Sequence, residues 1–152
     1  DFHDSCDGKG STLTVIRCTN GYVFGGYNPG SWKSQWGFVE FDTAENAFLF
    51  SLVNPAGTAP TKYNVTNPEM AVISSGASGP VFGNFDICCW DEVDGKSYIY
   101  FPLSYEDTTG RGVQTFTGGE IEDEDNDPQV YFVIDRLEVW SVKPTITSIP
   151  YI

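Results

Sequence analysis

Short apolar and β-branched stretches alternate with turns rich in Gly, Pro and Asn along most of the chain. The segment Thr12–Cys18 partly alternates apolar and polar residues, which predicts a strand. The Asn-Gly pair at 20–21 then predicts a tight hairpin turn into a second strand at residues 22–27. Gly25 and Gly26 in that strand predict a bulge or a close approach of the backbone to another group.

The most apolar run, residues 47–53, is short for a helix and predicts a buried strand. Residues 54–68 contain three prolines and predict mostly loop. Ser31 could cap one helical turn reaching Gln35, although a plain loop is an equal alternative. The other predicted strands are residues 70–74, 85–90, 97–103, 112–117 and 130–142, with the second and third forming a hairpin joined by residues 91–96.

Many short strands with almost no helical periodicity favour a mainly β fold, a two-sheet antiparallel β-sandwich with few short helices. The 152 residues are enough for one domain with a sizeable core. No internal repeat or boundary is visible, so we predict a single domain over residues 1–152. Residues 143–152 form a Pro-containing C-terminal tail.

The formal net charge of −13 makes nucleic acid and anionic membranes poor partners and cations better ones. No apolar run approaches the length of a membrane span, so we expect no membrane insertion. The chain begins at Asp1 and contains an even number of cysteines and the sequon Asn64-Val65-Thr66. Together these features predict a secreted protein, glycosylated at Asn64. Secretion also predicts disulfides, in pairings that the sequence leaves open, among Cys6, Cys18, Cys88 and Cys89.

The most charged stretch is residues 120–128, where six of nine residues are carboxylates. A hard divalent cation would offset their repulsion, and Ca²⁺ takes oxygen ligands. The alternative is a solvated acidic turn. A second acidic turn, with Asp91, Glu92 and Asp94, could complete or replace this site. The predicted calcium ligands are Glu122, Asp123, Glu124, Asp125, Asn126 and Asp127.

Catalytic signatures are weak. A Ser-His-Asp triad would need the single histidine, His3, for which we predict a structural or hydrogen-bonding role. The adjacent Cys88 and Cys89 would point to opposite faces of a strand, and no zinc-type spacing is present. Paired carboxylates for glycan hydrolysis remain an alternative, but nothing in an acidic turn raises the pKa of one acid. We therefore predict a protein without enzymatic activity.

A series of short motifs extends over residues 2–142. They are Phe2-His3, Cys6-Asp7, Gly10, Thr12–Ile16, Phe24–Tyr27, Ser31-Trp32, Ala47–Leu52, Gly79-Pro80, Phe82-Gly83, Asp86-Ile87 and Leu137–Trp140. In this order the motifs resemble the TLDc domain. The resemblance implies a two-sheet β-sandwich with few helices. TLDc proteins are mostly intracellular, are linked to oxidation resistance and the vacuolar proton pump, and have no agreed catalytic apparatus.

The acidic stretch and the secretion cues depart from this family pattern. With them, the chain also resembles a secreted, calcium-dependent, galactose-binding lectin of a sea anemone. We therefore predict a calcium-dependent lectin, specific for terminal galactose, acting as a homodimer so that it can cross-link glycans. The alternatives are a TLDc-type protein-interaction module and a glycan hydrolase. The predicted sugar-binding residues are Asp125, Asn126, Asp127, Trp90 and Tyr105.

Overall fold

The computed structural model describes residues 2–34, 40–90 and 96–143, except for the side chain of Glu124. Helix α1 is Phe2–Cys6, and two 3₁₀ turns occur at Pro68–Met70 and Gly112–Gln114. The strands are β1 (Thr12–Cys18), β2 (Val23–Asn28), β3 (Glu40–Asp42), β4 (Phe48–Val53), β5 (Thr61–Asn64), β6 (Val72–Ser74), β7 (Val81–Phe82), β8 (Ile87–Cys88), β9 (Ser97–Ile99), β10 (Glu122–Glu124), β11 (Asp127–Phe132) and β12 (Ile134–Ser141).

These strands form two antiparallel sheets. The five-stranded sheet has the order β12-β1-β2-β4-β5, and the seven-stranded sheet has the order β10-β11-β9-β8-β7-β6-β3. This arrangement confirms the predicted mainly β, two-sheet architecture. The hairpin of β1 and β2 is confirmed, and β8 pairs with β9 at Cys88 and Tyr98, which confirms the second predicted hairpin.

Aromatic side chains from both sheets fill the space between them. The ring centroids of Phe24 and Phe132 lie 5.2 Å apart, and those of Trp32 and Phe82 lie 5.5 Å apart. The indole N–H of Trp32 donates to Thr12 Oγ1 at 2.8 Å, so its polar atom is satisfied in the core. Burying each of these aromatic side chains contributes about 1.5–3 kcal/mol to the free energy of unfolding. The aromatic packing is therefore the main link between the two sheets.

The close approach predicted at Gly26 is confirmed. A Cβ on Gly26 would lie 2.7 Å from the ring of Phe82, which is closer than side-chain packing allows. Glycine at this position therefore lets β2 and an aromatic ring of the opposite sheet pack directly against each other.

Two predictions near the C-terminus are wrong. Residues 112–117 are not a strand, because the backbone N–H of Thr115 donates to the carbonyl of Gly112 at 3.0 Å and closes a 3₁₀ turn. The hydroxyl of Thr115 donates to the same carbonyl at 2.6 Å. Residues 130–142 do not form one strand. Phe132 pairs with Ser97 in the seven-stranded sheet, whereas Ile134 pairs with Cys18 in the five-stranded sheet.

Two loop predictions are also refined. Residues 54–68 contain a real strand, β5, which pairs with β4. Ser31 starts no helix in the described part of its segment, because its hydroxyl instead accepts the backbone N–H of Gly10 at 2.9 Å. Gln35 and the tail residues from 144 onward lie outside the described residues. No helix in the described part of the chain is long and apolar enough to cross a membrane.

Candidate functional site

The acidic stretch folds into a β-hairpin at the edge of the seven-stranded sheet. Strand β10 pairs with β11, and the two residues between them are Asp125 and Asn126. Their φ angles are 59° and 64°, the left-handed values of a type I′ hairpin turn. Asn and Asp tolerate this conformation better than most residues, so the local sequence suits the turn.

The pairing of β10 with β11 spreads the carboxylates over the hairpin. Glu122 lies opposite Gln129, and Asp123 lies opposite Pro128. Because successive residues of a strand point to opposite faces, the side chains of Glu122 and Asp123 project in opposite directions. Asp125, Asn126 and Asp127 are exposed at and beside the turn. The hairpin thus distributes its carboxylates over both faces and the exposed turn, and does not gather them into one enclosed cage.

Among the described side chains, no group of three or more His, Cys, Asp or Glu residues is arranged to hold a metal ion. That set does not include the side chain of Glu124, which sits beside the turn. The predicted ligands therefore do not form a ready-made calcium cage in this structure. Calcium binding remains a prediction.

The second acidic turn, Asp91, Glu92 and Asp94, lies outside the described residues. Its flanking residue Ser97 pairs with Phe132, at the far end of β11 from the acidic turn. The five residue steps from Asp127 to Phe132 span about 17 Å of strand. The strand that leaves this second turn therefore starts well away from the tip of the acidic hairpin.

The structure does not bring the two predicted aromatic residues to the hairpin tip. Trp90 is 38% exposed, but its backbone N–H donates to Ser97 Oγ at 3.2 Å, which places it at the Phe132 end of the sheet. Tyr105 is 2% exposed, and its hydroxyl donates to the Ala71 carbonyl at 2.7 Å. Its ring is core packing and offers no face to a sugar. Of the five predicted sugar-binding residues, only Asp125, Asn126 and Asp127 lie together.

His3 has a hydrogen-bonding role, as predicted. Its Nδ1 lies 2.8 Å from Asp7 Oδ1, and its Nε2 lies 2.8 Å from the carbonyl oxygens of Ser75 and Ser78. Burial disfavours the charged ring, but the hydrogen bonds to Asp7 and to these carbonyls outweigh burial and raise the pKa of His3. The imidazole therefore ties α1 to the turn after β6.

The cysteines differ from the disulfide prediction. Cys6, Cys18, Cys88 and Cys89 are all free, buried thiols in this structure. Cys88 packs with Ile73 and Val81, whereas Cys89 lies in the main core, so the two adjacent residues do face opposite sides of the sheet. Burial raises the pKa of Cys18 to about 12 and that of Cys88 to about 11, so neither is a reactive thiolate near neutral pH.

Sequence reasoning missed the buried carboxylate of Asp86. The backbone N–H of Leu103 donates to its Oδ1 at 2.7 Å, and that of Ser104 donates to its Oδ2 at 2.9 Å. Burial raises the pKa of Asp86 to about 6, although these hydrogen bonds favour the charged form. A Cβ on Gly83 would lie 2.0 Å from Asp86 Oδ2, so this position needs glycine. The glycine three residues before Asp86 is the feature of the sequence that could have pointed to the buried carboxylate. Asp86 positions the loop that follows β9.

A comparison of the chain with curated proteins found no match. The family model of the TLDc domain matches residues 1–143. That range includes both sheets, the Gly83…Asp86 turn and the acidic hairpin. The resemblance to the TLDc domain is thereby confirmed, whereas the resemblance to a galactose-binding lectin is not shown. The chain belongs to the TLDc domain family.

Proposed function

We propose that this TLDc domain is a secreted, non-catalytic, calcium-dependent carbohydrate-binding protein, and that its ligand is terminal galactose. The observation that carries the proposal is the tip of the acidic hairpin. There a two-residue turn exposes Asp125 and Asn126, the exposed Asp127 follows them, and Glu122 and Asp123 lie on the strand that leads into the turn. These side chains supply the oxygen ligands that Ca²⁺ prefers.

Charge supports calcium as the partner of this tip. The chain carries 21 acidic and 8 basic residues, so its field attracts cations. Among the described residues, three Lys or Arg side chains form ion pairs, namely Arg17, Lys33 and Arg136. None of their acidic partners belongs to the hairpin. An added cation is therefore the natural means of neutralising the tip.

Calcium would also give the site its sugar chemistry. Exposed calcium sites keep coordination positions filled by water, and two neighbouring sugar hydroxyls can replace those waters. Carboxylates beside the ion can accept hydrogen bonds from the same hydroxyls. Galactose and glucose differ in the direction of one hydroxyl, so such a site separates the two.

The test is calorimetric titration of galactose with and without a chelator, using the wild type and the double variant Asp125→Asn/Asp127→Asn. The variant should lose calcium affinity first, and excess calcium should partly restore galactose binding because the two equilibria are linked. The matched control, Glu45→Gln/Glu69→Gln, removes two exposed charges elsewhere and should bind as the wild type does. Galactose binding that ignores both chelator and variant would refute the calcium site.

Oligomeric state belongs to the same proposal. Cross-linking of glycans needs two sites on one particle, and a two-fold homodimer is the commonest way for a small chain to supply them. Light scattering that shows a monomer at the concentration where galactose binds would remove the cross-linking role and leave single-site binding.

A second candidate is a protein-interaction module, which family membership itself favours. Strand β10 is an edge of the seven-stranded sheet, so a partner strand could pair with it, and the acidic residues would select a cationic partner. Partner capture from the native source that is lost in Glu122→Gln/Asp123→Asn, with no effect of galactose or chelator, would favour this candidate.

A further inference from the structure

The outer surface of the five-stranded sheet carries an unbroken cross-strand row. Leu13 of β1 lies opposite Trp140 of β12 and opposite Tyr27 of β2. Tyr27 lies opposite Phe48 of β4, and Phe48 lies opposite Asn64 of β5. One residue from each of five neighbouring strands is therefore aligned, over a width of about 19 Å at the usual strand spacing.

This row faces away from the core. On β1, Thr12, Thr14 and Ile16 are buried between the sheets, so Leu13 points outward. At the two ends of the row, Trp140 is 59% exposed and Asn64 is also exposed. The result is an outward-facing apolar strip that begins at a polar side chain on one sheet edge and ends at a tryptophan on the other.

Polar groups border the strip. The rings of Tyr27 and Phe48 stack with centroids 5.1 Å apart, and the ammonium of Lys62 lies 4.3 Å from the Phe48 centroid. At the other end, the indole N–H of Trp140 donates to Glu138 Oε2 at 3.0 Å. Rings for stacking lie next to a donor and an acceptor, which is the combination that a pyranose, with one apolar face and a rim of hydroxyls, can use.

The strip is too small for a stable protein partner. The sheet face that contains the strip, about 19 Å wide and taken at the length of β1, about 24 Å, covers roughly 450 Å², and the strip is only part of it, against about 800 Å² per partner in a standard interface. A second copy of the chain would therefore bury too little surface here. A small, flexible ligand fits the area better.

The attachment point of such a ligand lies in the row itself. Asn64 is the acceptor of the sequon Asn64-Val65-Thr66 and projects from β5 next to Phe48, while its neighbour Tyr63 points into the core. We propose that an N-linked glycan on Asn64 folds back over the row and packs its pyranose rings against Phe48, Tyr27, Leu13 and Trp140. This proposal rests on the secretion part of the proposed function, and it does not depend on calcium or galactose.

Hydroxyl-radical footprinting of protein secreted from a eukaryotic host tests this proposal. Tyr27 and Trp140 should be oxidised severalfold more slowly in the glycosylated wild type than in Asn64→Gln. Trp90, on the other sheet, should be unaffected and serves as the internal reference. Thr66→Ser keeps both the sequon and the hydroxyl that donates to the Ser104 carbonyl, so it should keep the protection.

Four outcomes would overturn the proposal. Equal oxidation of Tyr27 and Trp140 in the wild type and Asn64→Gln would show that no glycan covers the row, as would an unmodified Asn64 in the secreted protein. Protection that disappears on dilution would assign the row to a second copy. Protection lost when residues 144–152 are removed would assign it to that segment. Galactose binding is titrated on the same samples. Because the glycan proposal does not depend on calcium or galactose, this titration separates a failure of the glycan proposal from a failure of the calcium site.

Discussion

The buried carboxylate of Asp86 should make the stability of this domain depend on pH in an unusual direction. Its ordinary pKa of 3.8 applies to the unfolded chain, and burial raises the pKa to about 6 in the folded protein. Between these values the folded protein keeps a proton that the unfolded chain has released. The free energy of unfolding contributed by Asp86 is therefore highest below pH 3.8 and falls as the pH rises through 6.

The size of this effect follows from the two pKa values. The difference between 3.8 and about 6 corresponds to a loss of about 3 kcal/mol from acid to neutral pH. The substitution Asp86→Asn removes the titration. It also places an amide N–H₂ against the backbone N–H groups of Leu103 and Ser104, so at least one hydrogen bond is lost, at about 1–3 kcal/mol.

Urea denaturation of the wild type and Asp86→Asn between pH 4 and pH 7.5 measures both terms. At pH 4 the wild type should be clearly more stable than the variant. Because part of the effect is already lost at pH 4, that advantage should shrink by about 2.4 kcal/mol between pH 4 and pH 7.5. Other titrating groups cancel in the difference between the two proteins.

Asp107 supplies a control of opposite sign. Burial disfavours its charge, but hydrogen bonds from the backbone of Gly112, Thr109 and Gly110 outweigh burial and lower the pKa of Asp107. The stability it contributes is present above its ordinary pKa and is lost as the pH falls. The advantage of the wild type over Asp107→Asn should therefore grow with pH. Parallel curves for the wild type and Asp86→Asn, or a difference that grows with pH, would refute the account of Asp86.

Three further predictions concern packing, calcium and the turn. Gly26→Ala should cost about 1–3 kcal/mol by urea denaturation because its methyl group meets the Phe82 ring, whereas Gly30→Ala, whose nearest neighbour atom would be 3.5 Å away, should change stability by less than about 0.5 kcal/mol. With an extracellular-type Kd of about 10⁻⁴–10⁻³ M, about 10 mM Ca²⁺ should stabilise the folded chain by about 1.4–2.7 kcal/mol, and an unchanged Tm would contradict the calcium site. Asn126→Val should destabilise the acidic hairpin by about 1–2 kcal/mol, because a β-branched residue fits poorly at a φ of 64°. The control Asn126→Gly should leave the hairpin intact. Hydrogen exchange of the β10 and β11 amides distinguishes the two variants.

Local sequence patterns predicted the parts of the fold that neighbouring residues determine. The strand Thr12–Cys18, the turn at 20–21 and the close approach at Gly26 each follow from residue types within a few positions. The turn at Gly112–Gln114 does not, because Val113 and Phe116 are as apolar as strand residues. What makes it a turn is a hydrogen bond from Thr115, which composition does not reveal.

The break at Val133 shows a second limit of local patterns. Residues 130–142 are continuously strand-like, and both halves form strands, but in different sheets. The backbone N–H of Thr19 donates to the Val133 carbonyl at 3.0 Å, so a residue more than 100 positions away helps to fix the crossover. Such a contact leaves no trace in the hydrophobic pattern.

The candidate site also has a part that the sequence predicts and a part that only tertiary structure determines. Composition located the acidic stretch, but the directions of its side chains depend on the register of β10 against β11. Aromatic residues were harder to assign, because Tyr105 and Trp90 look equivalent in the sequence, and only tertiary packing buries one and partly exposes the other. The sequence near Asp86 gives no sign of its role, because its hydrogen-bond donors are backbone N–H groups of a loop that begins 17 residues later in the chain.

The acidic hairpin lies at a sheet edge, so its charges have a possible role other than the proposed calcium binding, which is to protect the edge from pairing. The two roles have to be distinguished. Among the described strands, β10 is an edge of the seven-stranded sheet, and its acidic side chains disfavour pairing with a second copy of the chain, which carries the same charges. The carboxylates of the strand itself, such as Glu122 and Asp123, provide this protection. It does not need charge at the turn. The proposed cation site has the reverse requirement, since it depends on Asp125, Asn126 and Asp127 at the tip. The two roles therefore depend on different residues of one hairpin, and the charges at the turn are the ones that edge protection leaves unexplained.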